Sequence, residues 1–215
     1  MELEDIDKWL LTSLESVLQE CEEHYRNYET SKVRRKMEEF FLEIFCDNYL
    51  EMVKHRLYNP DEYGEESKQA AIHTLYKGLL ASLKVFTPII PHITEEIYQN
   101  LFGSKEKSKS INKSDWPEVD EELLDEEAKE KGELAKDIIE EIRRWKSDEG
   151  IPLNEDVPMV QFYADSEARK KIDEMREVIQ GTINVEDISY QRPVDSGEGI
   201  KVEDQQVEIK KIEAE

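Results

Sequence analysis

The sequence predicts a mainly α fold, an antiparallel helical bundle followed by a small α/β unit. Three observations lead there. Apolar residues recur at steps of three and four from Ile6 to Trp145, the period of helices that each bury one side. Turn-forming groups (Asn59-Pro60, Pro88 with Pro91, and Gly103) cut that pattern into helix-length pieces. Beyond Gly150 the period changes, and two apolar runs of strand length flank one more helical segment.

Ile6, Trp9, Leu10, Ser13, Leu14, Val17, Cys21 and Tyr25 place the first helix at about residues 5–27. The turn residues 27–31 follow, with Thr30 or Ser31 available to cap the second helix. That helix organises the chain. From Thr30 to Tyr58 neither Pro nor Gly interrupts it, so it can run as one rod of roughly eight turns. Val33, Met37, Phe40, Phe41, Ile44, Phe45 and Met52 supply its buried stripe against an antiparallel first helix. A third helix is predicted from Ser67, as cap, to Phe86, with Gly78 allowing a close approach to a neighbour. The fourth starts at Pro91, buries Ile93, Ile97, Leu101 and Phe102, and stops at Gly103. Residues 104–115 are polar, with four lysines and no apolar period, and read as a mobile loop or linker. Trp116 then returns the chain to the body.

The acidic run 120–130 leads into a helix that buries Leu134, Ile138, Ile142 and Trp145 and ends at Gly150. Val157 and Met159 to Tyr163 read as a strand, Glu167 to Gln180 as a helix, and Thr182 to Tyr190 as a second strand. Alternating Ile200, Val202, Val207, Ile209 and Ile212, after Gly197 and Gly199, read either as a final hairpin or as a flexible tail. This gives two units: a helical bundle at 1–125, and a C-terminal helix with a small α/β subdomain at 126–215.

A net charge of −23 argues against indiscriminate binding to a polyanion, because that attraction rests on Lys and Arg facing phosphate. Any nucleic-acid site must be a basic patch on an acidic body. Equal hydrophobic and charged fractions, 38% each, with strong periodicity, fit long exposed helices rather than disorder. No apolar run reaches the roughly 20 residues of a membrane span and no signal core opens the chain, so a cytoplasmic protein without membrane association is expected. Cys21 and Cys46 are too few for a disulfide scaffold. Cys21 with His24 is half a metal site without a second half, and neither a phosphate loop nor a zinc spacing is present, so no metal ligand is assigned.

Basic residues cluster at both ends of the organising stretch: Lys32, Arg34, Arg35 and Lys36 at its start, Lys54, His55 and Arg56 near its end. The bland interpretation of these clusters is a bundle helix with a solvated charged face. Glu38, Glu39, Glu43, Asp47 and Glu51 lack a His at ligand spacing and suit ion pairs or solvent. His73 and His92 suit packing or capping. No catalytic residue is assigned.

Phe45-Cys46-Asp47-Asn48-Tyr49-Leu50-Glu51, followed by Lys54, resembles the anticodon-binding helix of the valyl branch of class I aminoacyl-tRNA synthetases. Pro88 to Tyr98 (PIIPHITEEIY) resembles the Pro-rich helix start of the valyl, isoleucyl and leucyl enzymes, and Ser110-Ile111 with Trp116-Pro117 resembles the segment that follows it. Asp7 to Leu11, Asn27-Tyr28-Glu29 and Arg143 to Gly150 extend the likeness over about residues 5–190. Asn48 and Leu42 depart from it, since valyl enzymes often carry Trp there.

The resemblance implies the helical bundle of class I anticodon-binding regions, which grips the anticodon of tRNA, here the valine isoacceptor. The full enzyme would use ATP with Mg and valine in catalytic and editing domains that precede the bundle. Neither the HIGH-type nor the KMSKS-type motif occurs here, so this chain alone should not activate valine. In such a grip splayed bases stack on aromatic rings while cations hold phosphates. The candidates are Phe41 and Phe45 as platforms and Lys32, Arg34, Arg35, Lys54 and Arg56 as cations. Arg143, Arg144 and Lys146 form a secondary patch. The rival expectation is an acidic helical module that docks proteins and has no RNA role.

Overall fold

The computed structural model describes residues 2–118, 120–191, 200–202 and 207–213; Gly197 and Gly199 lie outside them. Helix α1 (Asp5–Arg26) buries Ile6, Trp9, Leu10, Leu11, Leu14, Leu18 and Cys21 on one side, as their spacing requires. The chain then turns and enters α2 (Thr30–Glu39), whose N-cap is Glu29 rather than Thr30 or Ser31.

The organising stretch has the predicted extent but is not one regular rod. Phe40–Tyr49 form a π-helix, then α3 (Leu50–Met52) and, after a turn at Val53, α4 (Lys54–Tyr58) complete the run. The cause is visible in the spacing of the buried residues. Phe40 and Phe45 are five apart, which an ordinary α-helix would rotate about 140° out of line. In the wide turn the Leu50 amide donates to Phe45 O, five residues back, and Phe40, Phe45 and Tyr49 all reach the core.

Helix α5 (Pro60–Tyr63) leads to α6 (Glu65–Phe86), and α7 (Pro91–Leu101) follows the Pro-rich corner. Helix α6 starts before the predicted cap, because Ser67 is taken up elsewhere: its Oγ accepts from Arg56 Nε at 2.8 Å and donates to Glu4 at 2.7 Å. Helix α7 is rotated from the predicted face. It buries Thr94 and Tyr98, and of the predicted stripe Phe102 is buried and Ile97 packs beside it, whereas Ile93 and Leu101 are 59% and 51% exposed. The loop after Gly103 is tied down rather than free. Glu95 accepts from Ser110 Oγ, the Ile111 amide and Asn112 Nδ2, and Tyr98 donates to Ser108 O at 2.6 Å. Trp116 lies edge-on to Tyr25 with ring centres 5.7 Å apart.

Helix α8 (Glu126–Asp148) is capped by Asp125, which accepts from the Ala128 amide at 3.0 Å, and it runs along α1. Strand β1 (Val157–Ala164), α9 (Ser166–Glu174), α10 (Arg176–Ile183) and β2 (Val185–Gln191) follow, with the predicted single helix split at Met175. Of the two readings left open for the tail, the paired one is found: strands β3 (Ile200–Lys201) and β4 (Val207–Glu213) are antiparallel and complete a sheet of order β2-β1-β4-β3, with β1 and β2 parallel. Helix α10 packs on β2 on one side and on α3, α4 and α8 on the other, so one apolar cluster runs from bundle to sheet.

A charged knot sits inside this core. Arg56 donates through Nη1 and Nη2 to the two oxygens of Asp7, each at 2.9 Å, and Tyr49 donates to Asp7 at 2.7 Å, all three residues being fully buried. Next to it His55 is buried against Gly181 and edge-on to Tyr63, and among the described residues neither ring nitrogen meets a partner in good hydrogen-bond geometry. Burial, with Arg56 beside it, holds the His55 imidazole down at about 4.

Two outcomes follow. Asp7→Ala leaves the buried guanidinium without its bidentate partner, with only Glu4 at 3.3 Å to offset its charge, and urea unfolding should show a loss of about 3–5 kcal/mol; a loss below about 1 kcal/mol would mean that the knot does not hold the bundle together. His55 binds its proton only after unfolding until the pH approaches 4, so its share of stability is full above about 6.5 and lost as pH falls from there toward 4. Across that window the parent should lose up to about 3 kcal/mol more than His55→Phe. Parallel pH profiles of the two proteins would contradict this.

Candidate functional site

Helix α2 carries the predicted cations Lys32, Arg34 and Arg35 and the π-helix the aromatics Phe41 and Phe45, while Lys54 and Arg56 follow on α4. Val33 and Met37 point into the core, and Lys32, Arg34 and Arg35, set around a single turn, are exposed. Each is exposed and leans on a carboxylate of its own helix or cap: Lys32 on Glu29 at 2.7 Å, Arg34 on Glu38, and Arg35 on Glu39 at 3.8 Å. The bonds from Lys32 and then His24 hold the Glu29 carboxyl below the usual range. Exposed pairs of this spacing are worth about 0.3–0.5 kcal/mol, so a polyanion can take these cations over at small cost. Lys36 is less available, since it crosses to Glu20 on α1 at 2.9 Å.

The two aromatic candidates separate. Phe41 and Phe45 stack with centres 5.7 Å apart and planes 14° from parallel. Phe45, expected as a base platform, is buried, and its ring lies so close over Gly78 that a Cβ there would sit 2.6 Å from Cε2. It packs α6 against the π-helix. Phe41 is the outer, half-buried ring of the pair.

Two predicted cations are inside the protein instead of on the site. Arg56 is wholly engaged by Asp7, Ser67 and Glu4. Lys146 is wholly buried and donates to Leu153 O, Glu155 O and Ile183 O at 3.1, 2.6 and 2.9 Å. Helical period holds the signal for both. Arg56 continues the buried steps Tyr49 and Met52, and Lys146 continues Ile138, Ile139 and Ile142. The remaining members of the secondary patch are at the surface: Arg144 pairs with Glu141 at 2.8 Å, and Arg143 donates to Asp47 O at 3.2 Å.

Lys54 and Arg143 come together. With Cys46, Asp47 and Glu51 of the organising run and the chain around Leu153, Asn154 and Asn184 they line an open cleft of about 520 Å³. Asn48, at a departure from the resemblance, ties the π-helix to α8 by donating to Glu43 O and to Glu140, both at 2.9 Å. Leu153, Asn154 and Asn184 carry no charge and stand in loops or at a helix end, so nothing in the sequence pattern marks them.

A family model described as the anticodon-binding domain of tRNA ligase matches residues 7–161. The chain belongs to this family. It is 36% identical over 212 residues to a valine–tRNA ligase of Pyrococcus furiosus, covering 99% of this chain and 23% of that protein. The valine–tRNA ligases of Pyrococcus horikoshii and Methanothermobacter thermautotrophicus are 40% and 35% identical, over 86% and 88% of this chain. The chain thus spans about a fifth of the length of these relatives, 20% and 21% of the last two. Among the described residues no helix is long and apolar enough to cross a membrane.

Proposed function

We propose that this chain is the tRNA anticodon-binding region of a cytoplasmic valine–tRNA ligase. Its task is to hold the anticodon stem and loop of the valine isoacceptor, so that catalytic domains outside this chain, using ATP with Mg and valine, meet the distant acceptor end. Residues 1–125 form the gripping bundle, and residues 126–215 add α8 and the α/β subdomain. The observation that carries the reading is the exposed cations Lys32, Arg34 and Arg35 of α2 on a chain of net charge −23, carried on the same helical run as Phe41 and Lys54. Phosphates settle on these cations, the Phe41 face takes a splayed base, and the acidic body repels RNA in other orientations.

The test is titration of the chain with a stem-loop RNA carrying a valine anticodon, and with the same RNA bearing altered anticodon bases, at two salt concentrations. Arg34→Ala with Arg35→Ala should weaken binding about tenfold or more and flatten the salt dependence by about 0.7–0.9 in log–log slope for each phosphate no longer neutralised. Phe41→Ala should cost about 1–3 kcal/mol on the valine anticodon and less on the altered one. Equal affinity for both RNAs in the parent would reduce the site to phosphate attraction, and binding untouched by either change would place the RNA elsewhere.

A further inference from the structure

The cleft that joins Lys54 to Arg143 has features the general grip does not explain. The Arg143 guanidinium is half-buried yet, among the described residues, has no carboxylate within 4 Å; its described hydrogen bond is the single one to Asp47 O. A guanidinium has five N–H donors, so most of its capacity is left unused by the described residues. Burial pushes its pKa down accordingly. Lys54 stands in the same cleft, bonded to Glu51 at 2.6 Å.

The walls are fixed before any ligand arrives. Buried Lys146 donates to Leu153 O and Glu155 O on one side and to Ile183 O on the other, and Asn184 Nδ2 donates to Asn154 O at 3.0 Å. An ammonium taken wholly out of water is expensive, and here it clamps one loop to the end of α10. Asn184 supports the same closure from a left-handed backbone, with φ 53°. A wall ordered in advance spares a ligand the entropy of ordering it. On this clamped loop Leu153 is 57% exposed, an apolar face held in water, and the Asn154 side-chain amide makes no described hydrogen bond.

We infer that this cleft receives one extruded nucleotide of an RNA loop, with its phosphate on Arg143 and Lys54, its base against Leu153 and its base edge at the Asn154 amide. The inference rests on the proposed tRNA-binding reading and names the subsite within it. A volume of about 520 Å³ is in the range of small-ligand pockets. Asp47 and Glu51 offset the charge of the two cations, so the cleft has no surplus positive charge to hold a free di- or triphosphate, and a phosphate is held by the hydrogen bonds of Arg143 rather than by net charge.

The experiment uses the whole 215-residue chain and the valine-anticodon stem-loop with 2-aminopurine replacing one loop base at a time. One position should change fluorescence on binding, and Leu153→Ala should abolish that change while leaving the others. Arg143→Gln should weaken binding about tenfold and lower the salt slope by about 0.7–0.9, the yield of one neutralised phosphate, with partial recovery in Arg143→Lys. Asn154→Ala, whose side chain holds nothing described in the fold, should narrow the preference among bases at that one position. Unfolding curves of each variant separate weakened RNA binding from a damaged fold. If Leu153→Ala, Asn154→Ala and Arg143→Gln all behave as the parent while Arg34→Ala with Arg35→Ala still weakens binding, the subsite is wrong and the grip stands. Failure of the parent to bind RNA at low salt would overturn both. Competition by a polyglutamate peptide as effective as by unlabelled RNA would make the cleft an anion site without nucleotide recognition, which also overturns the inference.

Discussion

The Arg56–Asp7 pair is the constraint on which the other elements depend. It joins the first turn of α1 to α4, and through Tyr49 and Ser67 it also holds the end of the π-helix and the start of α6. Two full charges inside a core gain little net stability over well-packed apolar groups, but they tolerate one geometry only, since every donor and acceptor must be met. The knot therefore fixes where the organising run ends, and with it the direction in which Lys54 leaves α4. Lys146 does the same at the far end of α8 with three carbonyls in place of a carboxylate. The chain thus uses two of its cations as internal fasteners, and neither is available to a ligand.

What remains outside is sparse, and sparseness suits recognition. On a body of net charge −23 the proposed site offers an RNA phosphate Lys32, Arg34, Arg35, Lys54 and Arg143, while the acidic faces of other helices repel it. The π-helix matters because it sets the angle between these groups. A regular helix through Phe40–Tyr49 would turn Phe45 off Gly78 and rotate everything beyond it, Lys54 included, relative to the basic face of α2. Asn48, bonded both within the wide turn and across to Glu140 of α8, holds the two parts in that relation.

Much of the fold is legible in the sequence because it follows from period and punctuation. The helix boundaries at Arg26, Thr30, Tyr58, Pro91 and Gly150 and the change to strands at Val157 all carry local signals, whereas the Gly, Asp and Glu content after Tyr190 leaves hairpin and tail equally open. The failures have physical causes. Apolar period misassigns the face of α7 because Tyr98 and Thr94 bury polar groups that find partners, Tyr98 on Ser108 O and Thr94 on Ile90 O, which a count of isoleucines does not anticipate. The loop after Gly103 looks free in the sequence because polar composition does not reveal that Glu95 gathers three donors from it. At the site, charge type alone selects Arg56 and Lys146. Their buried partners, Asp7 and the carbonyls of Leu153, Glu155 and Ile183, lie outside the helical run that carries each cation, and only the stripe each cation falls on betrays its burial.

The most direct measurement of RNA placement on this chain is ultraviolet crosslinking of the valine-anticodon stem-loop, with the attached peptides mapped by mass spectrometry. Attachment is expected within residues 30–54, centred on α2 and Phe41, with a second site near Arg143 to Asn154. Attachment confined to the exposed stripe of α7 around Ile93 and Leu101, or to the sheet, would contradict a grip built on the basic face of α2.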